Sequence, residues 1–366
     1  MRNNSLRRRL TVASAALAAG ATLSACGAAN ETAANNSGGG SDLAGELNGA
    51  GSSAQQAAMQ AWQAGFQTAH PDVTVNYDAI GSGGGREQFL AGGVAFAGSD
   101  DYLTEQEVTK ATKVCHGAPI EIPVYVSPIA VAYNLPGVDE LRLSPSTLAQ
   151  IFAGKVEFWD AKAIAATNPG ADLPHTAITP VHRSDESGTT GNFTDYLSEA
   201  APSGWTYGSV ETWPVKQGEA ANGTSGVVAA LKSGEGSIGY ADASQAQDLA
   251  KAQIGVGSGY VGPTAEAAAA VLDESKPVAG RGGTDLAVDV NRSPSASDVY
   301  PIVLVSYQIF CPTYDSEQTA KLVKAFESSV VSQAGQQAAA QQAGSAPITD
   351  TIRTKARTAI ESVSAR

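Results

Sequence analysis

The chain has 366 residues, of which 43% are hydrophobic and 16% charged, and a formal net charge of −13. That length exceeds one ordinary core and suits two domains, and the composition is that of a soluble globular protein rather than a disordered one. The acidic balance excludes a nucleic-acid-binding surface and electrostatic adhesion to anionic lipid heads.

Residues 1–25 hold four Arg and no acid. Arg7-Arg8-Arg9 and the short apolar stretch from Leu10 to Ala21 read as an export signal, too short for a stable membrane span. Without it, 19 basic residues face 36 acidic ones, a net of −17. The signal closes on Leu23-Ser24-Ala25-Cys26, either an ordinary cleavage region with a chance cysteine or the bacterial lipobox that it resembles. The lipobox implies cleavage before Cys26 and lipidation of its thiol. Residues 26–43 are small, polar and rich in Gly and Ser, and read as a tether from the lipid. No other stretch suits a membrane span, so attachment would be through lipid alone, on the outer face of a bacterial plasma membrane. Cys115 and Cys311 remain. In an exported protein they pair most simply, closing a long loop; the alternative is two buried thiols.

In chain order, the pattern predicts a strand near 46–48 and a helix over 54–68, with Ala58, Met59, Trp62 and Phe66 at helical spacing. A strand over 73–77, a short helix over 86–91 and an apolar run over 94–98 follow. Residues 120–135, rich in Val, Ile and Tyr and carrying Pro123 and Pro128, read as strand, crossing and strand between domains. Ser144-Pro145 opens a helix to 153. Then come a strand over 178–181, helices over 192–200 and 226–232, a short strand over 237–240, a β-type run over 300–310, and helices over 316–329 and 336–343. Residues 262–297 show little pattern and read as surface excursions. Strand–loop–helix units dominate, so the class is α/β.

Three Gly/Ser/Thr-rich loops run straight into helical patterns: 49–53, 81–85 and 187–191. A helix start presents unpaired N–H groups and a partial positive charge; glycine permits close approach and Ser or Thr adds a hydroxyl donor. With Arg183 nearby, whose guanidinium can grip two oxygens in a planar fork, the loops suit a small tetrahedral anion. In a repulsive acidic body such a site must act through local hydrogen bonds. Ser53, Ser82, Ser187 and Thr189 offer hydroxyls, and Ala54, Gly188 and Thr189 offer amides. Asp100 is either an exposed turn or cap residue beside Asp101, or a reader of ligand protonation. An ionised Asp only accepts, so it bonds an oxyanion that keeps a proton, as phosphate does, and repels sulfate. Gly81–Arg86 lacks the spacing of a nucleotide-binding loop. His70, His116, His175 and His182 show no metal-ligand spacing. Trp159-Asp160 reads as core and cap.

GAGSSAQQAAMQAW, VNYDAIGSGGG, FAGSD and HRSDESGTTGNFTDYL occur in that order, followed by GSIGY and YPI. As a set they resemble the phosphate-binding proteins of ABC-type phosphate import systems, from about residue 45 to the C-terminus. The resemblance implies a two-domain periplasmic-binding-protein-like (type II) fold with hinge-linked lobes and a cleft between them, lobe I being 44–124 plus 298–366 and lobe II 125–297. It implies phosphate contacts at Ser53, Ala54, Ser82, Asp100, Arg183, Ser187, Gly188 and Thr189, with Asp185 holding the arginine. It also implies a monomer that needs no cofactor or metal and delivers phosphate to a permease and its ATPase. The family often has Thr-Phe where this chain has Ser53-Ala54, so an apolar wall is lost while the hydroxyl and amide persist. The competing classes are a secreted phosphatase or other hydrolase using the same pocket, for which no G-x-S-x-G elbow or convincing His partner is present, and a binding protein for another oxyanion such as arsenate.

Overall fold

One strand, Ile120–Asn134, organises the molecule, and fourteen of its fifteen residues are buried. The computed structural model describes residues 43–281 and 283–366; the export signal, Cys26 and nearly all of the tether lie outside the described residues. The strand's run of Val, Ile, Ala and Tyr has no polar alternation, as expected where both faces are covered. Its first part, to Pro128, pairs antiparallel with Val303–Phe310, and its remainder, from Ile129, pairs antiparallel with Ser237–Asp242. It is thus one continuous strand that changes partners, not two strands with a crossing between them. Proline removes a ladder donor. Pro123 lies beside a register shift in the ladder, and Pro128 lies where the partner changes.

This strand joins two halves of a nine-stranded sheet. In the first half Gly45–Gly51 lies parallel between Val73–Asp78 and Phe96–Ser99. In the second, Thr179–Arg183 lies parallel between Glu219–Ala221 and Ser237–Asp242. Helices follow the strands: Gln56–Ala69, Ser82–Leu90, Gly188–Ala200 and Gly223–Ser233. In the first of these Ala58, Met59, Trp62 and Phe66 face the core as their spacing predicts. Parallel strands with crossover helices place their carboxyl ends, and the loops that leave them, on one side of the sheet.

Several sequence expectations need correction. Except for Gly81, which precedes its helix, the glycines of the second and third loops lie within the first turns of helices that start at Ser82 and Gly188. Helix propensity disfavours them there, but close approach demands them: a Cβ on Gly85 would lie 2.3 Å from Gly51 Cα, and one on Gly188 would lie 2.7 Å from Ser82 Oγ. Residues 262–297 are not merely surface excursions, since they contain the helix Ala265–Glu274, with Ala268 and Val271 fully buried, and the buried Arg292. Helices Glu105–Val114 and Asp350–Glu361 are additional. Trp159 is buried, but Asp160 caps no helix; it pairs with His175 at 2.9 Å. Cys115 and Cys311 form a disulfide, inside a satellite core that includes Phe89, Leu103 and Ile309. Among the described residues no helix is long and apolar enough to cross a membrane.

Candidate functional site

Six strands deliver their carboxyl ends to one place, and the hydrogen bonds between them define it. The first strand runs into Ser52-Ser53-Ala54. Ser52 Oγ accepts the amides of Ala54 at 3.1 Å and Gln55 at 3.2 Å, closing the turn before the helix. Its own proton goes to Asp100 Oδ1 at 2.5 Å. Ser82, at the start of its helix, accepts the Asp100 amide at 3.1 Å. Asp100 directly follows the strand Phe96–Ser99 and is buried. It is therefore not an exposed turn residue.

The second half of the chain meets these loops directly. Thr189 Oγ1 donates to Asp100 Oδ2 at 3.0 Å, and Asn192 Nδ2 donates to the Asp100 carbonyl at 2.5 Å. Ser187 caps its helix by accepting the Thr190 amide at 3.2 Å. The Gly83 amide donates to the Glu186 carbonyl at 3.3 Å. Arg183 ends its strand buried, with Nε and Nη2 both donating to Asp185 in a planar fork, the former at 2.8 Å. Asp185 Oδ1 also accepts the Gly223 amide at 3.1 Å. Gly81, at φ 98°, lies so close beneath this pair that a Cβ would stand 2.5 Å from Asp185 Oδ2. Any other residue would be strained there and would push the ion pair aside.

Ser53, Ser82, Asp100, Arg183, Asp185, Ser187, Gly188 and Thr189 are thus brought into one connected cluster, and Ala54 adjoins it with its amide on Ser52. The sequence reading missed a fourth helix start. Thr224 donates its amide to Ser53 Oγ at 3.1 Å, and the two hydroxyls lie 3.1 Å apart. The signal was present, because Asn222-Gly223-Thr224-Ser225-Gly226 has the same composition as the other three loops. Gln245 anchors the first loop by donating to the Ser53 carbonyl at 2.8 Å. Ser52, Asn192 and Ser306 were also missed. Ser306 Oγ donates to Asp100 Oδ1 at 2.8 Å from the strand Val303–Phe310, and nothing local in VLVSYQIF marks it.

Electrostatics sharpen the geometry. Burial raises the Asp100 carboxyl above its ordinary value, and hydrogen bonds from Ser52, Ser306 and Thr189 and the charge of Arg183 offset only part of that rise. Burial also opposes ionisation of Asp185, but the Arg183 bonds outweigh it and hold this carboxyl below its ordinary value. Asp101, next to the cluster, is pushed up to about 7 by burial and by the neighbouring Glu211. A second buried arginine, Arg86, bonds Glu107 at 2.9 Å, Ser99 Oγ at 2.9 Å and Glu211 by a double contact, so it joins the helix Ser82–Leu90 to a loop of the second half. His182 stacks on Trp213 with ring centroids 5.1 Å apart, a packing role. Among the described residues no cluster of His, Cys, Asp and Glu could hold a metal. The site can present hydroxyls, helix-start amides and one guanidinium to an oxyanion, with a carboxylate among them.

Comparison with known proteins points the same way. Residues 28–334 match the PBP superfamily domain. The chain is 38% identical to phosphate-binding protein PstS 3 of Mycobacterium tuberculosis, over 97% of this chain and 99% of that one. It is 36% identical to phosphate-binding protein PstS 3 of Mycobacterium leprae, over 95% and 96%. A solved high affinity periplasmic phosphate-binding protein with bound phosphate superposes with a TM-score of 0.71 at 24% identity, covering 86% of this chain and 93% of that one; at that identity it speaks to the fold.

Proposed function

The chain belongs to the PstS family of phosphate-binding proteins in the PBP superfamily, and from this membership and the site we infer that it captures inorganic phosphate outside the cytoplasm and delivers it to an ABC permease. The observation that carries the reading is the placement of Asp100. A buried carboxylate set among hydroxyls and helix starts, with a clamped arginine beside them, suits an anion that keeps a proton. Ser53, Ser82, Ser187, Thr189 and the amide of Gly188 donate to phosphate oxygens, while the amide of Ala54 is spent on Ser52 Oγ and shapes the first loop. Arg183 has two nitrogens spent on Asp185, which leaves Nη1 for the ligand and fixes the plane of the fork. Each helix start adds roughly 0.3–1 kcal/mol toward an anion. Asp100 accepts the ligand's proton. Sulfate has none to give, and a site built around such a bond rejects the analogue lacking it by about 10⁴–10⁵.

The fold is the two-lobed α/β fold of periplasmic phosphate-binding proteins. Lobe I comprises 44–124 and 298–366 and lobe II 125–297, a division supported by the change of ladder partner at Pro128–Ile129. Closure of the lobes brings Asp100 to Thr189 and Ser53 to Thr224 and excludes water. The protein is a monomer, held to the membrane by lipid on Cys26, and works with a permease and its ATPase rather than as an enzyme. Support for the last point is that Ser187 Oγ accepts the Thr190 amide and, among the described residues, bonds no histidine that could activate it.

The test is calorimetric titration of the purified protein with phosphate, sulfate and arsenate. Phosphate and arsenate, which share shape and protons, are expected to bind, and sulfate is not. Sulfate binding as tight as phosphate, or specific phosphoester turnover abolished by Ser187→Ala, would overturn the reading.

A further inference from the structure

Against Asp100 lies a line of three buried polar side chains. Ser306 and Gln308 are two apart on the strand Val303–Phe310 and so share a face. Gln55 sits in the turn before the first helix, and all three are fully buried. Gln308 Nε2 donates to Gln55 Oε1 at 2.8 Å, and Gln55 Nε2 donates to Ser306 Oγ at 3.1 Å. Gln55 Oε1 packs against the backbone of Gly98, where an added Cβ would stand 2.5 Å from it. Polar residues in such a strand are costly, and Gln308 Oε1 has no hydrogen-bond partner among the described residues. Packing alone would be better served by apolar side chains of similar volume.

We propose that Gln308, Gln55 and Ser306 form a positioning relay that holds Asp100 as a hydrogen-bond acceptor, so that only a protonated oxyanion is accepted. This rests on the reading of the site as one for phosphate. A serine hydroxyl has one proton. With Gln55 donating to Ser306 Oγ, that proton is directed to Asp100 Oδ1 at 2.8 Å, ahead of the more distant Ser99 carbonyl at 3.3 Å. Ser52 is fixed in the same sense, because two amides donate to its oxygen and its proton goes to the same Oδ1. Oδ1 thus receives two committed donors and has no room for a proton of its own. Oδ2 has only the hydroxyl of Thr189, which can rotate, and is the atom left to read the ligand.

The other groups facing Asp100 do not do this work. Arg183 contributes charge from its own strand. The Tyr77 hydroxyl donates to the Ser52 carbonyl, and burial and the Asp100 charge keep it protonated. Ser82 and Asn192 contact the Asp100 backbone. Arg86 reaches Ser99, and Arg292 reaches Asn192. Asp101, the next residue, bonds the Tyr102 amide.

The experiment is calorimetric titration of the intact protein with phosphate and with sulfate between about pH 5 and pH 8, for the wild type, Ser306→Ala, Gln308→Leu and the Asp100→Asn, Ser306→Ala double variant. Ser306→Ala is expected to move the acid limb of the phosphate profile up by about one pH unit and to reduce the preference for phosphate over sulfate about tenfold. Gln308→Leu should act in the same direction with smaller size, since Gln55 stays in place but loses its anchor. With Asp100→Asn already present, Ser306→Ala should add nothing to the acid limb. A purely structural role would instead weaken both anions alike at every pH, and that result overturns the proposal, as does an unmoved limb and ratio in both single variants. If Ser306→Ala fails to fold, the limb and ratio of Gln308→Leu decide. Wild-type protein that binds no phosphate at any pH sinks the site reading itself, and the relay with it.

Discussion

Asp100 and Glu327 are two of the buried carboxyl groups of this protein, and their surroundings differ completely. Asp100 follows a strand and receives hydroxyl protons from Ser52, Ser306 and Thr189, with Arg183 close enough to matter. Glu327, on the helix Glu317–Val330, has no hydrogen-bond partner for either oxygen among the described residues. Burial alone acts on it and pushes its carboxyl well above the ordinary 4.5. Depth therefore does not set the chemistry of a buried acid; the donors built around it do. The donors around Asp100 offset part of the cost of its charge, whereas Glu327 has only burial acting on it and favours holding its proton.

The largest expected effect comes from removing the charge that faces Asp100. Arg183→Ala should weaken phosphate binding at least about 100-fold, because it deletes a charge-assisted donor and leaves the partly buried Asp185 without its counter-charge; calorimetry with a melting curve would separate lost binding from lost fold. Next, Asp100→Asn should keep phosphate binding but lower the phosphate-to-sulfate preference at least about 100-fold. Unchanged selectivity would mean that the carboxyl does not read protons.

Glu327 supplies the opposite arm. A group whose folded pKa is raised contributes stability that is fully present below its ordinary value and is lost as pH rises above it. Urea unfolding of the wild type should thus show stability falling as pH rises above about 4.5. Glu327→Leu should remove that share of the slope and add about 1–3 kcal/mol near neutral pH, with phosphate affinity untouched. A destabilised variant would show that Glu327 has a partner after all. The smallest effect belongs to Ser52→Ala, which moves Asp100 a step toward the condition of Glu327. Loss of the turn's hydrogen bonds should cost about 0.5–1.5 kcal/mol, and phosphate binding should weaken a few-fold, more at acidic pH than at neutral; equal weakening across pH would assign Ser52 to the turn alone.

The legibility of the site in the sequence follows from how local each signal is. Ser53, Ser82 and Ser187 to Thr189 sit in loops whose composition announces a helix start, and Arg183 stands beside one of them. Gly223 and Thr224 carried the same sign and were passed over. The helix Glu105–Val114 was announced too, by a capping box of Thr104 and Glu107. Ala265–Glu274 was not, because its run of alanines has no apolar stripe to show periodicity. Arg292 and Ser306 were invisible: their partners lie about a hundred or more residues away in the chain, and nothing beside them records it.

What the sequence determined by itself was the alternation of strands, loops and helices, the anion-friendly chemistry of the loops, and the cysteines available to pair, since each depends on residues close together along the chain. Only the tertiary structure decided that Asp100 is buried, that Ser306 and Thr189 commit protons to it, and that Thr224 meets Ser53. Those facts depend on a single long strand joining two half-sheets, which turns the carboxyl ends of distant strands toward one another, and short-range pattern carries no trace of such a meeting.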